Sequence, residues 1–238
     1  MKFKNLFIVS IIGNIAAGKT TLLNALKTSK LAERAKGGQV VFIPEPHTIA
    51  GTKSHALATD YFNSHKPTDP TAQQKINLDF QLSVLADLHD LLSAANEKAK
   101  IPTLIVLERG WADVLVFAAV NLGRNSRDYI TLKSQISVLF NAFADLTLYL
   151  PIHPNKALER AQNRAKEAAH EQQSVTKYGT LDFFKAIDAE YGILASLIPN
   201  HRIKTIEQED LKIVDVISYV IAHAYHLAQD ANPNDAQK

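Results

Sequence analysis

Cysteine is missing from all 238 residues, so the chain has no disulfide framework, no thiol nucleophile and no cysteine-ligated zinc or iron–sulfur site. The absence fits a reducing compartment. No apolar run approaches the ~20 residues that cross a bilayer. Lys2 and Lys4 ahead of the apolar segment 6–17 imitate the start of an export signal. The same residues are better explained as a strand and a ligand-binding loop, and the expectation is a cytoplasmic protein with no membrane partner. An excess of charge of one sign is also lacking: 26 Lys plus Arg against 24 Asp plus Glu leaves +2, too even for a protein that coats a nucleic acid polymer. Of nine histidines only His223 and His226 lie close together, at the end of a helical pattern with no acid between them, which excludes a catalytic zinc reading.

What is present is a globular balance, 46% hydrophobic and 21% charged, enough for one large domain over residues 1–228 with a frayed tail at 229–238. Leu6 to Ile12 is a continuous apolar, β-branched run, the pattern of a strand covered on both faces. Further strands are expected at 39–43, 103–107, 146–150 and 202–206. Helical periodicity separates them at 18–27, 53–62, 71–98, 110–121, 127–143, 155–171, 181–198 and 209–227. Alternation of this kind predicts an α/β fold with a five-stranded parallel sheet and helices on both faces. Ligands of such sheets gather at the carboxyl ends of the strands, here after residues 12, 43, 107 and 150.

The first of those ends carries the strongest signal. Gly13-Asn14-Ile15-Ala16-Ala17-Gly18-Lys19-Thr20 fits G-x-x-x-x-G-K-[ST] between a strand and a helix, the context in which the motif acts. Backbone N–H groups and the helix N-terminus cradle phosphate oxygens, Lys19 reaches the terminal phosphates of ATP, and Thr20 ligates Mg²⁺. A P-loop NTPase fold follows. After the second strand comes Glu45-Pro46, an acid placed to accept or orient a proton, with a capping or solvated loop acid as the plainer alternative. Glu108-Arg109 ends the third strand, where the plainer alternative is a local ion pair. Phe80 and Gln81 lie in the long helix, Phe80 on its apolar stripe and Gln81 off it. Arg160 and Arg164 stand one turn apart on another helix, balanced by Glu159, Glu167 and Glu171.

In order and spacing, Gly13-Asn14-Ile15 through Gly18-Lys19-Thr20-Thr21, Glu45-Pro46, Phe80-Gln81 and Glu108-Arg109 resemble the deoxynucleoside kinases. The stretch from Leu146 through Arg160 to Phe183-Phe184 and Tyr191 is also similar to the related thymidylate kinases. The resemblance implies transfer of the ATP γ-phosphoryl group to the 5′-hydroxyl of a deoxynucleoside. Residues 13–21 with Arg160 and Arg164 would bind ATP, the latter two in a helical lid near 155–180. Glu45 would handle the hydroxyl beside Arg109 and Lys19. Thr20 and Glu108 would hold Mg²⁺, and Phe80, Gln81, Arg109 and Trp111 would line the nucleoside pocket. Two copies would pair through the helices at 71–98 and 127–143, by analogy with related enzymes.

Several departures keep rival readings open. Thymidylate kinases usually place an arginine directly before the Glu, where this chain has Pro44, and Gly-Gly-Thr after its proline, where it has His47-Thr48-Ile49. Loss of that arginine favours a bare hydroxyl acceptor over a monophosphate. Nucleoside kinases carry a sugar-binding Glu before the residue matching Asn121, where this chain has Val120, and many have Ser or Tyr in place of Gly110. Ala16 stands where a glycine is common. A thymidylate kinase is therefore the nearest alternative, and a nucleotide-binding protein without turnover the more distant one.

Overall fold

Continuous apolar strands need cover on both faces, and the chain supplies it with helices on either side of one parallel sheet. The computed structural model describes residues 6–29, 39–63, 69–140, 144–167, 179–207 and 212–230. Its strands are β1 (Leu6–Gly13), β2 (Gln39–Ile43), β3 (Thr103–Glu108), β4 (Leu146–Leu150) and β5 (Ile203–Thr205). The helices are α1 (Lys19–Thr28), α2 (Lys53–Asn63), α3 (Pro70–Lys98), α4 (Trp111–Leu122), α5 (Arg127–Leu139), α6 (Pro154–Glu167), α7 (Leu181–Leu197) and α8 (Ile213–Asp230). The sheet order is β2-β3-β1-β4-β5 with every pairing parallel, so the five-stranded α/β expectation holds.

Alternation along the strands sorts the core into two layers. Val9, Ile11, Leu104 and Val106 face α1, α6 and α8, where they meet Leu22, Leu26, Ala157 and Val220. Ile8, Ile105 and Leu107 face α3, α4 and α5, against Leu88, Leu92, Val114 and Leu132. After β1 the chain crosses to the left edge of the sheet at β2, steps back to β3 beside β1, and then passes β1 to place β4 and β5 on its right. The direction of winding thus reverses between β3 and β1, which opens a crevice at their carboxyl ends.

Several boundaries differ from the sequence expectation. The helix expected over 127–143 stops at Leu139, because Phe140 takes extended backbone and stacks on Trp111, with ring centroids 4.6 Å apart. Residues 141–143 lie outside the described residues, as do 168–171 of the expected 155–171 helix and the polar lid segment 172–178. Before β5 a 3-10 turn, Asn200–Arg202, follows Pro199. The start expected for α8 at 209–211 lies outside the described residues, and so does the expected tail beyond Asp230, which itself ends α8. No helix among the described residues is long and apolar enough to cross a membrane.

Candidate active site

The loop after β1 is shaped by three backbone positions. Gly13 approaches β4 so closely that an added Cβ would stand 2.5 Å from the Leu150 carbonyl oxygen. Gly18, which precedes α1, has φ 90, a conformation that costs glycine little. Ala16 also adopts a left-handed conformation, φ 59, where a side chain is strained. Ala16→Gly is therefore expected to raise the unfolding free energy by roughly 0.5 kcal/mol, relief of strain exceeding the entropy glycine adds to the unfolded chain. Chemical denaturation of the two proteins measures the difference.

Asn14 fixes the loop from within. Its Oδ1 accepts from the Ile15 N–H at 2.8 Å, and its Nδ2 donates to the Phe184 carbonyl on α7 at 3.1 Å. Lys19 is buried, and its Nζ donates to the carbonyls of Gly13 at 3.0 Å and Asn14 at 2.8 Å. Burial, and then the neighbouring charge of Arg109, lower its pKa to about 8, against the opposing pull of Glu45, Asp113 and Glu108. Thr20 Oγ1 donates to Glu108 Oε1 across the crevice. Glu108 is buried at the end of β3; burial and then the charge of Glu45 raise its pKa, with Thr20, Lys19 and Arg109 opposing. Thr20 and Glu108 thus present hard oxygen donors side by side, a set suited to Mg²⁺ that also binds phosphate oxygens and water. No cluster of three or more His, Asp or Glu competes as a metal site among the described residues.

Glu45 leaves β2 just before a 3-10 turn, Pro46–Thr48, yet its carboxylate does not cap that turn. Oε1 accepts from Arg109 Nε at 2.5 Å, and Oε2 lies 3.5 Å from His47 Nδ1. Burial alone would raise its pKa, but Arg109, followed by His47 and Lys19, holds it down at about 2. Arg109 has φ 61, is anchored by its N–H to the Ile11 carbonyl at 3.1 Å, and lays its guanidinium 4.7 Å from the centre of the Phe117 ring. Its charge is reinforced: burial lowers the pKa, but Glu45, Tyr191 and Asp113 raise it above the ordinary arginine value.

These groups line one cavity of about 720 Å³, together with Lys19, Thr20, Phe80, Gln81, Glu108 and Arg164. The structure therefore brings Glu45, Arg109, the P-loop and the Phe80-Gln81 pair together, as their spacing implies. Phe80 stacks on Tyr61 with centroids 3.8 Å apart and belongs to an aromatic cluster with His47 and Phe62. Gln81, off the sequence stripe, is nevertheless buried, and its Nε2 lies 3.4 Å from the Tyr61 hydroxyl, to which Asn121 Nδ2 also donates at 3.3 Å. Ile15, Ala16 and Gly18 line the cavity, whereas Gly13, Asn14 and Ala17 are buried behind the loop and Thr21 faces solvent. Arg164 reaches the cavity wall from α6; Arg160 sits a turn earlier and is not among the lining residues.

Trp111 does not line the cavity. It is packed in the core between α3, α4 and α5 against Phe140, so its large apolar ring serves the fold. Val120 likewise packs beside Ile12, Phe117 and Tyr191. Gly110 lies over Ser10, where an added Cβ would stand 2.7 Å from the hydroxyl oxygen. Sequence reasoning gave no site role to Asp113 or Tyr61, nor to Tyr191 and His47, which enter it only through the comparison with thymidylate kinases. Asp113 Oδ2 accepts from the Gly110 N–H at 2.8 Å, and Oδ1 accepts from the Tyr191 hydroxyl at 2.5 Å. The one available signal was an acid at the third position of a helix that begins with glycine.

Comparison with known proteins agrees with this geometry. The profile of the family described as deoxynucleoside kinase matches residues 9–223. No curated protein matches the sequence. Among solved structures, a deoxyadenosine kinase from M. mycoides with products dCMP and a flexible dCDP bound is similar, with TM-score 0.60 and 16% identity over 92% of this chain and 99% of that one. The same enzyme with bound dCTP gives TM-score 0.59 at 16% identity, with the same coverage. Identity this low speaks to the fold.

Proposed function

Since this chain belongs to the deoxynucleoside kinase family and is a phosphotransferase, we propose that it moves the γ-phosphoryl group of ATP to the 5′-hydroxyl of a deoxynucleoside, through the residues described above. The observation that carries the assignment of roles is the convergence of Lys19, Glu45 and Arg109 on one cavity. The P-loop N–H groups and Lys19 hold the donor phosphates, and Thr20 and Glu108 would hold Mg²⁺. When bound, the metal ion neutralises phosphate charge and aligns the donor.

The nucleoside would lie between the aromatic cluster of Phe80 and the apolar wall of Val84, Leu88 and Val114, with Gln81 facing the base. Its 5′-oxygen would then approach Glu45. A carboxylate held at about 2 is a weak base, so Glu45 first orients the hydroxyl by accepting its hydrogen bond, and the proton passes to Glu45 late, once the O5′–P bond has largely formed and the oxygen has become acidic. The bond to the β,γ-bridging oxygen of ATP breaks as that bond forms, and Arg109 spreads the charge that develops. Arg164, from α6, adds charge on the donor side.

A monophosphate acceptor fits less well. Pro44 lines the cavity where a second arginine would serve such an acceptor, and Arg109 is already engaged by Glu45. A cytoplasmic setting fits the cysteine-free composition, and pairing through α3 and α5 would be consistent with the exposed Ile130 and Val138 on α5.

The test is Mg²⁺-ATP phosphoryl transfer against the four common deoxynucleosides, deoxyuridine and dTMP. A nucleoside 5′-monophosphate is the expected product. Transfer to dTMP alone would reassign the acceptor, and ATP binding with no product on any acceptor would favour a protein without turnover.

A further inference from the structure

Arg109 has a part in the proposed transfer, whereas the buried polar groups near it on α4 and α7 have none so far. Asp113 is buried one turn into α4 and accepts two hydrogen bonds, from the Gly110 N–H at 2.8 Å and the Tyr191 hydroxyl at 2.5 Å. Phe117, one turn further on the same face, carries the Arg109 guanidinium on its ring. Arg109 therefore has one carboxylate hydrogen-bonded to it, Glu45, and a second, Asp113, which lines the same cavity from the helix that its own strand leads into and reinforces its charge. Tyr191 lies on α7, the helix that follows the lid, and is fully buried. Seven residues earlier, on the same face of α7, the Phe184 carbonyl accepts from Asn14 of the P-loop. A single helix thus touches the P-loop at one point and the Asp113 carboxylate at another, two turns away.

We infer that Asp113 and Tyr191 are positioning residues, which hold Arg109 in register with the P-loop through α7. The inference rests on the kinase reading above. Its physical basis is that Glu45 must turn part of its hydrogen-bonding capacity to the acceptor hydroxyl. While it does so, Arg109 keeps a second, fixed counter-charge only if Asp113 is ionised. Burial raises the pKa of Asp113 above the usual carboxylate value, and Arg109, the Tyr191 hydroxyl, the Gly110 N–H and Lys19 limit the rise. Tyr191 is itself raised well above the ordinary phenol value, by burial and then by Asp113, so it stays protonated and acts only as a donor. The charged groups that face this pair are Arg109, Lys19 and Glu45.

The experiment compares Tyr191→Phe, which keeps the buried ring, with Asp113→Asn and the unaltered protein. Wild-type turnover on a nucleoside is measured first. In Tyr191→Phe, kcat is expected to fall roughly tenfold or more at pH 7, while KM for ATP stays within about twofold. The acid limb of the kcat profile should move to higher pH, because Asp113 loses the donor that favours its ionised form. A merely structural contact would leave that limb where it is. In Asp113→Asn the limb assigned to this group should disappear. Trp111 is the only tryptophan and lies two residues from Asp113, so its fluorescence gives a pH titration that needs no activity. The midpoint should rise in Tyr191→Phe. Unchanged kcat and an unchanged acid limb in Tyr191→Phe would overturn the inference. If no nucleoside is phosphorylated by the wild-type protein, the kinase reading fails instead, and a Trp111 midpoint that does not move in Tyr191→Phe then overturns the coupling of the pair. A variant that does not fold leaves the other to decide.

Discussion

Lys19→Met should lose phosphoryl transfer by roughly 10²–10³-fold or more, yet unfold at a higher temperature than the unaltered protein when no nucleotide is present. The first effect follows from removal of the cation at the terminal phosphates. The second follows from the cost of keeping that cation among buried groups. Folding lowers the Lys19 pKa from its usual 10.5 to about 8, so at pH 7 the folded chain holds a proton less comfortably than the unfolded one. Between about pH 8 and pH 10.5 the unfolded chain is still protonated at this lysine while the folded chain is not, and wild-type stability gains as pH rises through that window. The variant has no such gain. The difference in melting temperature between the two should therefore shrink from pH 7 to pH 10. Calorimetry of both proteins over that range reads the trend, and a difference that widens with pH would count against this account of Lys19. On the proposed reading ATP should reverse the order at pH 7, because it would stabilise the chain that retains the lysine more than the variant.

Glu45→Gln carries the second large effect. The amide keeps the shape but cannot balance Arg109 or take the proton, so kcat should drop by roughly 10²–10⁴-fold. Its stability effect has the opposite sign to that of the lysine variant. Removal of the carboxylate leaves the Arg109 guanidinium without its closest counter-ion, at a cost of about 3 kcal/mol near neutral pH. Folding depresses the Glu45 pKa from 4.5 to about 2, so its contribution is complete above pH 4.5 and is lost as the pH falls toward 2. The unfolding free energies of the wild-type and Glu45→Gln proteins should accordingly converge through that acid window. Urea titrations at pH 7, 4 and 3 would show it; a constant gap would mean that the carboxylate is not the group that titrates.

The parts of this site that could be read in the sequence are those whose chemistry is local. The P-loop is contiguous, and its strand and helix are marked by periodicity on either side. Glu45 and Glu108-Arg109 follow their strands directly, and a parallel sheet delivers such positions to one end. Trp111 shows the limit of reasoning by residue type: an aromatic close to Glu108-Arg109 suggests a pocket wall, but only the position of Phe140 decides which way the ring packs. Gln81 is the converse case. It falls outside the apolar stripe of α3, yet is buried because a cavity, not solvent, lies against that side of the helix. The pairing of Asp113 with Tyr191 spans 78 residues, and neither residue is unusual in its own helix. No local pattern encodes it. The end of α5 at Leu139 was equally hidden, since it is set by the stack that Phe140 makes with a distant ring.

The sheet order also sets a timetable for synthesis. The P-loop is made early, but the strand that must lie beside β1 is β3, whose residues pair with it at a separation of 97 positions, Leu6 opposite Thr103. A nascent chain that has released only β1, α1 and β2 would have two strands with no shared edge, since β3 lies between them. It would expose apolar surface that other nascent chains can capture. Arg109 then arrives at its place before Tyr191 has been translated. An unfinished chain would thus assemble the P-loop and Arg109 without the helix whose Phe184 carbonyl and Tyr191 hydroxyl reach Asn14 and Asp113. Ribosome-held intermediates ending before α7 should bind nucleotide weakly, if at all, and slow translation through residues 150–190 would lengthen their exposure to chaperones and proteases.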